Sequence, residues 1–206
     1  MMRLSRRTAV AFAAGVTLLA AAAMAATPGE EARQLVRSTA DDVIAVLAEK
    51  GLNPEQKREK ITVIVEKSFD FMTLCKLVMA RHWAKLTPEQ QQQFAVEFKQ
   101  HLTITYGKNV ENYRNEKVVI TGDREEARGD WTVKSIIERP TAENVKVDYR
   151  LRRIDGQWRM IDMIVEGVSL IANFRSQFQD IITKSGPAKV IDLLREKNAK
   201  AEPLKS

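Results

Sequence analysis

Reactive side chains are scarce in this sequence. His82, His101 and Cys75 are its only imidazole and thiol groups. Both histidines fall in stretches with helical spacing, and no Cys–His cluster has the spacing of metal ligands. Cys75 repeats with Phe71, Leu74 and Val78 at three, four and seven positions, so it reads as a small buried hydrophobe of a helix stripe. Gly167-Val168-Ser169-Leu170-Ile171 lacks the second glycine of a nucleophile elbow, and no histidine follows it to act as a base. None of the nine glycines lie close enough together for a phosphate-cradling loop. The carboxylates read as solvated helix and turn residues, except Asp162. It is predicted on an apolar sheet face, as a buried acceptor satisfied by the Tyr149 hydroxyl or a nearby backbone amide. A secreted enzyme would need a titratable cluster, and Asp162 with Tyr149 is the one candidate. No catalytic residue is assigned.

The elements that would carry these residues change period once, near residue 114. Before it the pattern is helical. Leu35, Val36, Thr39, Val43, Val46 and Leu47 keep one face of a helix that Gly51 ends. Asn53-Pro54-Glu55-Gln56 has an N-cap, a first-turn proline and a capping-box glutamine, and Ile61, Ile64 and Val65 continue that helix. Thr87-Pro88-Glu89-Gln90 repeats the signature and opens a long helix with Phe94, Phe98, Leu102 and Tyr106 four apart. After residue 114 the period becomes two. Val118 and Ile120 predict a strand and Gly122-Asp123 a turn. Trp131, Val133 and Ile137 predict a second strand that Pro140 closes. Val145, Val147, Tyr149 and Leu151 alternate with charged residues, and Asp155-Gly156 predicts a two-residue type I′ hairpin. That turn sets Leu151 opposite Met160, Tyr149 opposite Asp162 and Val147 opposite Ile164. Ile161, Met163 and Val165 would then cover the other face. Leu170, Ile171, Phe174, Phe178, Ile181 and Ile182 form a helix that Gly186-Pro187 breaks before Val190, Ile191 and Leu194. The fold class is α+β, a twisted antiparallel sheet of about four strands packed against several helices.

Bulk properties narrow the setting. Arg3, Arg6 and Arg7 precede an apolar run from Ala9 to Ala23, and Ala23-Met24-Ala25 is an A-x-A exit, so residues 1–25 read as a secretory signal peptide. The run is shorter and more alanine-rich than a membrane anchor of ~20 apolar residues. The remainder, 26–198, fits one domain, with 199–206 as a loose tail. Losing three arginines reduces the net charge of +6 to +3. The remaining charges are mixed in sign, without the basic stripe and interleaved aromatics of a nucleic-acid binder.

Several segments go further than pattern. Phe69-Asp70-Phe71, then Trp83-Ala84-Lys85-Leu86-Thr87-Pro88-Glu89-Gln90, Phe94 and Tyr106, resemble the MlaC family of periplasmic phospholipid-binding proteins, also called toluene-tolerance auxiliary proteins. Val147-Asp148-Tyr149-Arg150-Leu151 is similar to that family's central strand. Trp158 through Leu170, with Glu166-Gly167-Val168-Ser169, is similar to its signature, which Asn173-Phe174-Arg175-Ser176-Gln177-Phe178 continues. The match covers roughly residues 30–195, and Ala80 stands where the family pattern has glycine. The resemblance implies a Gram-negative periplasmic carrier of glycerophospholipid, with acyl chains between sheet and helices. Its implied partners are an outer-membrane lipoprotein complex and the inner-membrane MCE-domain component of an ABC transporter. It implies no cofactor, only phospholipid as cargo, and a role in outer-membrane lipid asymmetry. Combined with the register above, the expected pocket wall is Val133, Val147, Tyr149, Leu151, Met160 and Ile164 from the sheet, with Phe94, Phe98, Leu102 and Tyr106 from the long helix. Periodicity does not distinguish a hollow interior from a filled one. A periplasmic adaptor with a solid core, bridging membrane partners without lipid, stays open as the alternative.

Overall fold

A computed structural model describes residues 26–107 and 112–204, so the expected signal peptide and the last two residues of the expected tail lie outside the described residues. Four helices come first: α1 (Pro28–Ala48), α2 (Pro54–Ser68), α3 (Phe71–Met79) and α4 (Pro88–Tyr106). Capping boxes open three of them. Thr27, Asn53 and Thr87 each accept the backbone N–H three residues on, and Glu30, Gln56 and Gln90 return the bond. Sequence reasoning had read the second and third of these and missed the first.

Ala80 ends α3 at φ 47°, ψ −129°, a conformation that glycine adopts freely and alanine does not. The glycine that the resemblance leads one to expect at this position would hold this conformation without strain. Ala80→Gly is expected to relieve the strain and stabilise the fold by about 1 kcal/mol after the opposing chain entropy. Thermal unfolding should register this as a rise of roughly 2–4 °C.

The sheet is an antiparallel meander, β1 (Lys117–Glu125), β2 (Trp131–Glu138), β3 (Val145–Ile154), β4 (Gln157–Val165) and a two-residue β5 (Val168–Ser169), in sequential order. Asp155 (φ 50°) and Gly156 (φ 78°) form the expected tight turn. Two bulges revise the rest. Gly122-Asp123 is not a turn, because β1 absorbs Thr121 as an extra residue and runs on. Ile161 is a second extra residue. Leu151 still faces Met160, but Tyr149 faces Met163, Val147 faces Val165, and Arg150 faces Asp162. Ile164 pairs with Asp148 and Ser169, on the opposite face from Val147 and Leu151. The bulge therefore moves Asp162 and Ile164 off the apolar face and moves Met163 and Val165 onto it.

Helices return as α5 (Leu170–Ser185) and α6 (Lys189–Ala199). The apolar side chains divide into two clusters. One joins the sheet to α1, through Ala32, Val36, Val133, Leu151, Trp158 and Met160. The other is wholly helical, with Phe94 and Phe98 of α4, Leu74, Cys75, Val78 and Met79 of α3, Phe174 and Phe178 of α5, and Val190 and Leu194 of α6. Phe69 packs against both and extends the edge of β4 by bridging to Met160. The sheet is thus covered by α1, where the sequence had suggested α4. Cys75 is fully buried, and burial pushes its thiol pKa well up.

The tail is tied down further than expected. Leu204 packs on the helical cluster, and its N–H donates to Nε2 of the buried His101 at 3.2 Å. Nδ1–H of His101 then faces Oδ1 of Asn198 at 3.2 Å, and Asn198 Nδ2 donates to the Glu97 carbonyl and carboxylate. This arrangement requires a neutral ring. Burial, aided by nearby Lys197, holds His101 below its ordinary pKa of 6.5, while the Asn198 bond opposes the shift. The unfolded chain therefore takes up the proton first. Stability should be full above about pH 6.5 and fall as pH drops below it, by at most about 1.4 kcal/mol per pH unit from this group. Urea midpoints at pH 7.5 and 5.5 should show the fall, and His101→Gln should remove that share of it.

Candidate functional site

The side of the sheet that packs on α1 is built from rows of cross-strand neighbours. At one end Trp131, Leu151 and Met160 form a row, with Trp158 beyond it. This end is sealed. Leu151 and Met160 are 0% exposed, and the two indole rings meet edge to face at 6.4 Å. Helix α1 starts here. Gly29 lies so close that a Cβ would come within 2.9 Å of the Trp131 ring. Trp131 Nε1 donates to Asp123, Trp158 Nε1 donates to Glu31, and Arg33 and Arg153 pair with those two carboxylates.

The opposite end differs. Val118, Ile137, Val145 and Met163 continue the same apolar face but are only half-buried, and Val165 is exposed. The helix layer follows the same gradient. On α1, Ala32, Val36 and Thr39 are buried, whereas Val43, Val46 and Leu47 on the continuing stripe are half-buried. Helix α2 runs back beside α1, held by a Thr39–Ser68 hydroxyl pair at 2.8 Å and by Lys57 Nζ on the Leu47 carbonyl. It buries only Ser68, and its inward Ile61 and Ile64 stay half-buried. The C-terminal end of α4 arrives at the same place, where Gly107 leaves room for the Arg58 side chain. The result is an apolar layer that is buried at one end and half-buried at the other. A polar surface hollow of about 280 Å³, lined by Asn115, Lys117, Glu138, Arg139, Pro140 and Asn144, sits at the open end of the sheet outside the apolar layer.

The ten residues expected in the pocket fall into distinct places. Val133, Leu151 and Met160 belong to the sealed sheet–α1 cluster, with half-buried Tyr149 against them and Val147 buried one row further on. Phe94 and Phe98 are 0% exposed inside the helical cluster, ringed by other aromatics. Leu102 is at the edge of that cluster, and Tyr106 is 40% exposed at the open end. Ile164 is on the wrong face. Ile137, Val145 and Met163, which were not among the expected residues, share the α1-facing side of the sheet and are half-buried. Val43, Leu47, Ile61 and Ile64 were read as helix stripes but not connected with a cleft.

Two polar features interrupt the apolar layers. Ser135, 2% exposed, donates to the Val147 carbonyl at 2.7 Å, and burial pushes the Tyr149 phenol up in pKa while neighbouring Ser135 opposes the shift. Asp162, on the far face, accepts from Met163 N, Ile171 N and Ser169 Oγ at 2.9, 3.2 and 2.6 Å, with Arg150 at 3.8 Å. The backbone amides satisfy this carboxylate as expected, and Tyr149 does not, because the Ile161 bulge separates them. Ser169 caps α5 through Ala172 N, so Asp162 fixes the start of α5 to the sheet. Among the described residues no cluster of His, Cys, Asp and Glu could hold a metal ion, and no helix is long and apolar enough to cross a membrane.

Fold and site together define an α+β protein in which an antiparallel meander is covered by α1 and its apolar face is buried at one end and half-buried at the other. The chain belongs to the MlaC family, whose model, described as MlaC protein, matches residues 37–196. It is 27% identical over 190 residues to the toluene tolerance protein ttg2D of Pseudomonas putida, covering 90% of this chain and 86% of that protein. It also resembles a phospholipid-binding protein from Ralstonia solanacearum solved in complex with a phospholipid. There the TM-score is 0.75 at 30% identity, covering 83% of this chain and 98% of that one.

Proposed function

We propose that this protein is a non-enzymatic carrier that holds phospholipid acyl chains in the cleft between its sheet and the α1–α2 hairpin. One observation carries the reading: the apolar stripes of sheet and helices are sealed at one end and left half-open together at the other. A packed core has no reason to stop at the same point on opposing layers. The phospholipid held by the Ralstonia relative supports the same class of ligand.

Physical chemistry says why a carrier is useful. Two acyl chains carry ~30 methylenes, and at ~0.8 kcal/mol each their exposure to water costs on the order of 20 kcal/mol or more. An apolar cleft need only match the bilayer, so loading and unloading stay near balance and no covalent step is required. In the finer form of the proposal, residues 1–25 direct export to the periplasm. There the carrier is the soluble component of an Mla-type ABC transport system. It moves glycerophospholipid between an outer-membrane lipoprotein complex and the inner-membrane MCE-domain component, which maintains outer-membrane lipid asymmetry.

The tight filling around Phe94 and Phe98 favours a second reading, a solid-core adaptor that bridges the same partners without lipid. Native mass spectrometry of protein purified gently from cells separates the two. Phospholipid near one per chain is expected for the carrier, and a lipid-free chain would favour the adaptor.

A further inference from the structure

Basic side chains collect at one end of the helical half. The eighteen residues from Phe71 to Pro88 contain no Asp or Glu, the longest such stretch after the expected signal peptide, and they carry Lys76, Arg81 and Lys85. The thirteen from Gly167 to Gln179 are also free of acids and carry Arg175. The fold lays these two stretches together, because α3 packs against α5 and Arg175 donates to the Leu77 carbonyl near the end of α3. In the short 3-10 turn that follows, Ala80–Lys85, Arg81 Nε donates to His82 Nε2 at 3.4 Å. Lys76, Arg81, Lys85 and Arg175 are all exposed, and among the described residues none of them pairs with a carboxylate. Other cations of the helices and strands have such partners: Lys60 has Glu49, Lys99 has Glu66 and Arg152 has Asp130. His82 registers the local field. Burial of its ring, and after it the charges of Lys85 and Arg81, hold its pKa below the ordinary value.

The make-up of this end decides what it fits. A protein interface needs an apolar core inside its polar rim. Here Leu77 and Trp83 are half-buried against the helical cluster, and Met72, a turn before Lys76, is the large apolar side chain left exposed beside them. One methionine is not an interface core. A charged bilayer surface asks for less, because it attracts basic groups by its potential, with no shape to match.

We propose that this end of the helical half, through Lys76, Arg81, Lys85 and Arg175, adsorbs to the surface of an anionic phospholipid bilayer. Helix α4 starts beside it and runs ~28 Å, at ~1.5 Å per residue, to the half-buried end of the apolar layer. A chain held this way stays at the membrane with that far end free. Adsorption needs no cargo, so its failure would leave the carrier reading untouched.

The test uses the full mature chain with vesicles of phosphatidylcholine alone or of equal parts phosphatidylcholine and phosphatidylglycerol. Flotation reads the bound fraction. At low salt the mixed vesicles should bind the chain and the neutral ones should not, and raising the salt to about 0.3 M should release it. Arg81→Glu combined with Lys85→Glu should weaken binding to the mixed vesicles at least tenfold, since each basic group near such a surface is worth about a factor of five. Lys134→Glu combined with Lys146→Glu makes the same change in net charge on exposed lysines of β2 and β3, and should leave binding within about twofold. All four side chains are exposed, so the unfolding temperatures should match wild type. An equal loss in the second pair would show that net charge and not this end does the binding, and would overturn the proposal. A wild-type chain left unbound by the mixed vesicles would overturn it too. Salt-sensitive binding to polyglutamate without binding to vesicles would give the patch to an acidic protein and sink the bilayer assignment as well.

Discussion

Phe98→Ala is expected to cost about 4 kcal/mol of stability without emptying the cleft. Phe98 is fully buried, with the rings of Phe94 and Phe174 at 5.3 and 4.9 Å and those of Phe178 and Phe71 at 6.0 and 6.1 Å. Removing it deletes contacts on every side, and three helices supply the surrounding rings, which limits collapse into the void. Phenylalanine truncations of this kind cost about 3–5 kcal/mol. For a domain of this size that is roughly a 10 °C fall in unfolding temperature. The lipid content of the molecules that remain folded should match wild type. A large loss of lipid per folded chain would return Phe98 to the cleft wall.

Val145→Trp should do the reverse. Val145 is half-buried in the open half of the sheet face, opposite Ile137. An indole there can grow into the cleft without displacing a sealed core, so circular dichroism and unfolding temperature should change little. Co-purified phospholipid, counted by native mass spectrometry or phosphorus assay, is expected to fall at least tenfold, about 1.4 kcal/mol of binding. Leu151→Trp is a useful contrast. Leu151 is 0% exposed among Val133, Met160 and α1, so a larger ring there overpacks the sheet–α1 cluster and costs about 1–3 kcal/mol. Unchanged lipid in Val145→Trp would place the cargo elsewhere in the molecule.

These two substitutions mark where sequence reasoning succeeds and fails. Local rules were legible: the capping boxes at Asn53 and Thr87, the Asp155-Gly156 turn, and the breaks at Gly51 and Gly186-Pro187 each depend on a few consecutive residues. The family was legible from the wording of Trp158–Leu170. Register was not. The extra residues Thr121 and Ile161 have no mark in the sequence, yet the second moves Met163 and Val165 to the cleft side and takes Asp162 and Ile164 away. Pairing of layers was not legible either, because α1 and α4 both present apolar stripes and only long-range contacts decide which covers the sheet. Phe94 and Phe98 show the same limit. An aromatic stripe has one appearance whether it faces its own core or a guest.

Phe69 is the side chain packed against both apolar clusters, and its strand-like bridge to Met160 is where helices and sheet are stitched together. A molecule with a single continuous interior must break favourable packing to swell. With two interiors, each complete in itself and joined near one aromatic ring, the helical half can shift against the sheet while neither parcel loses its own packing.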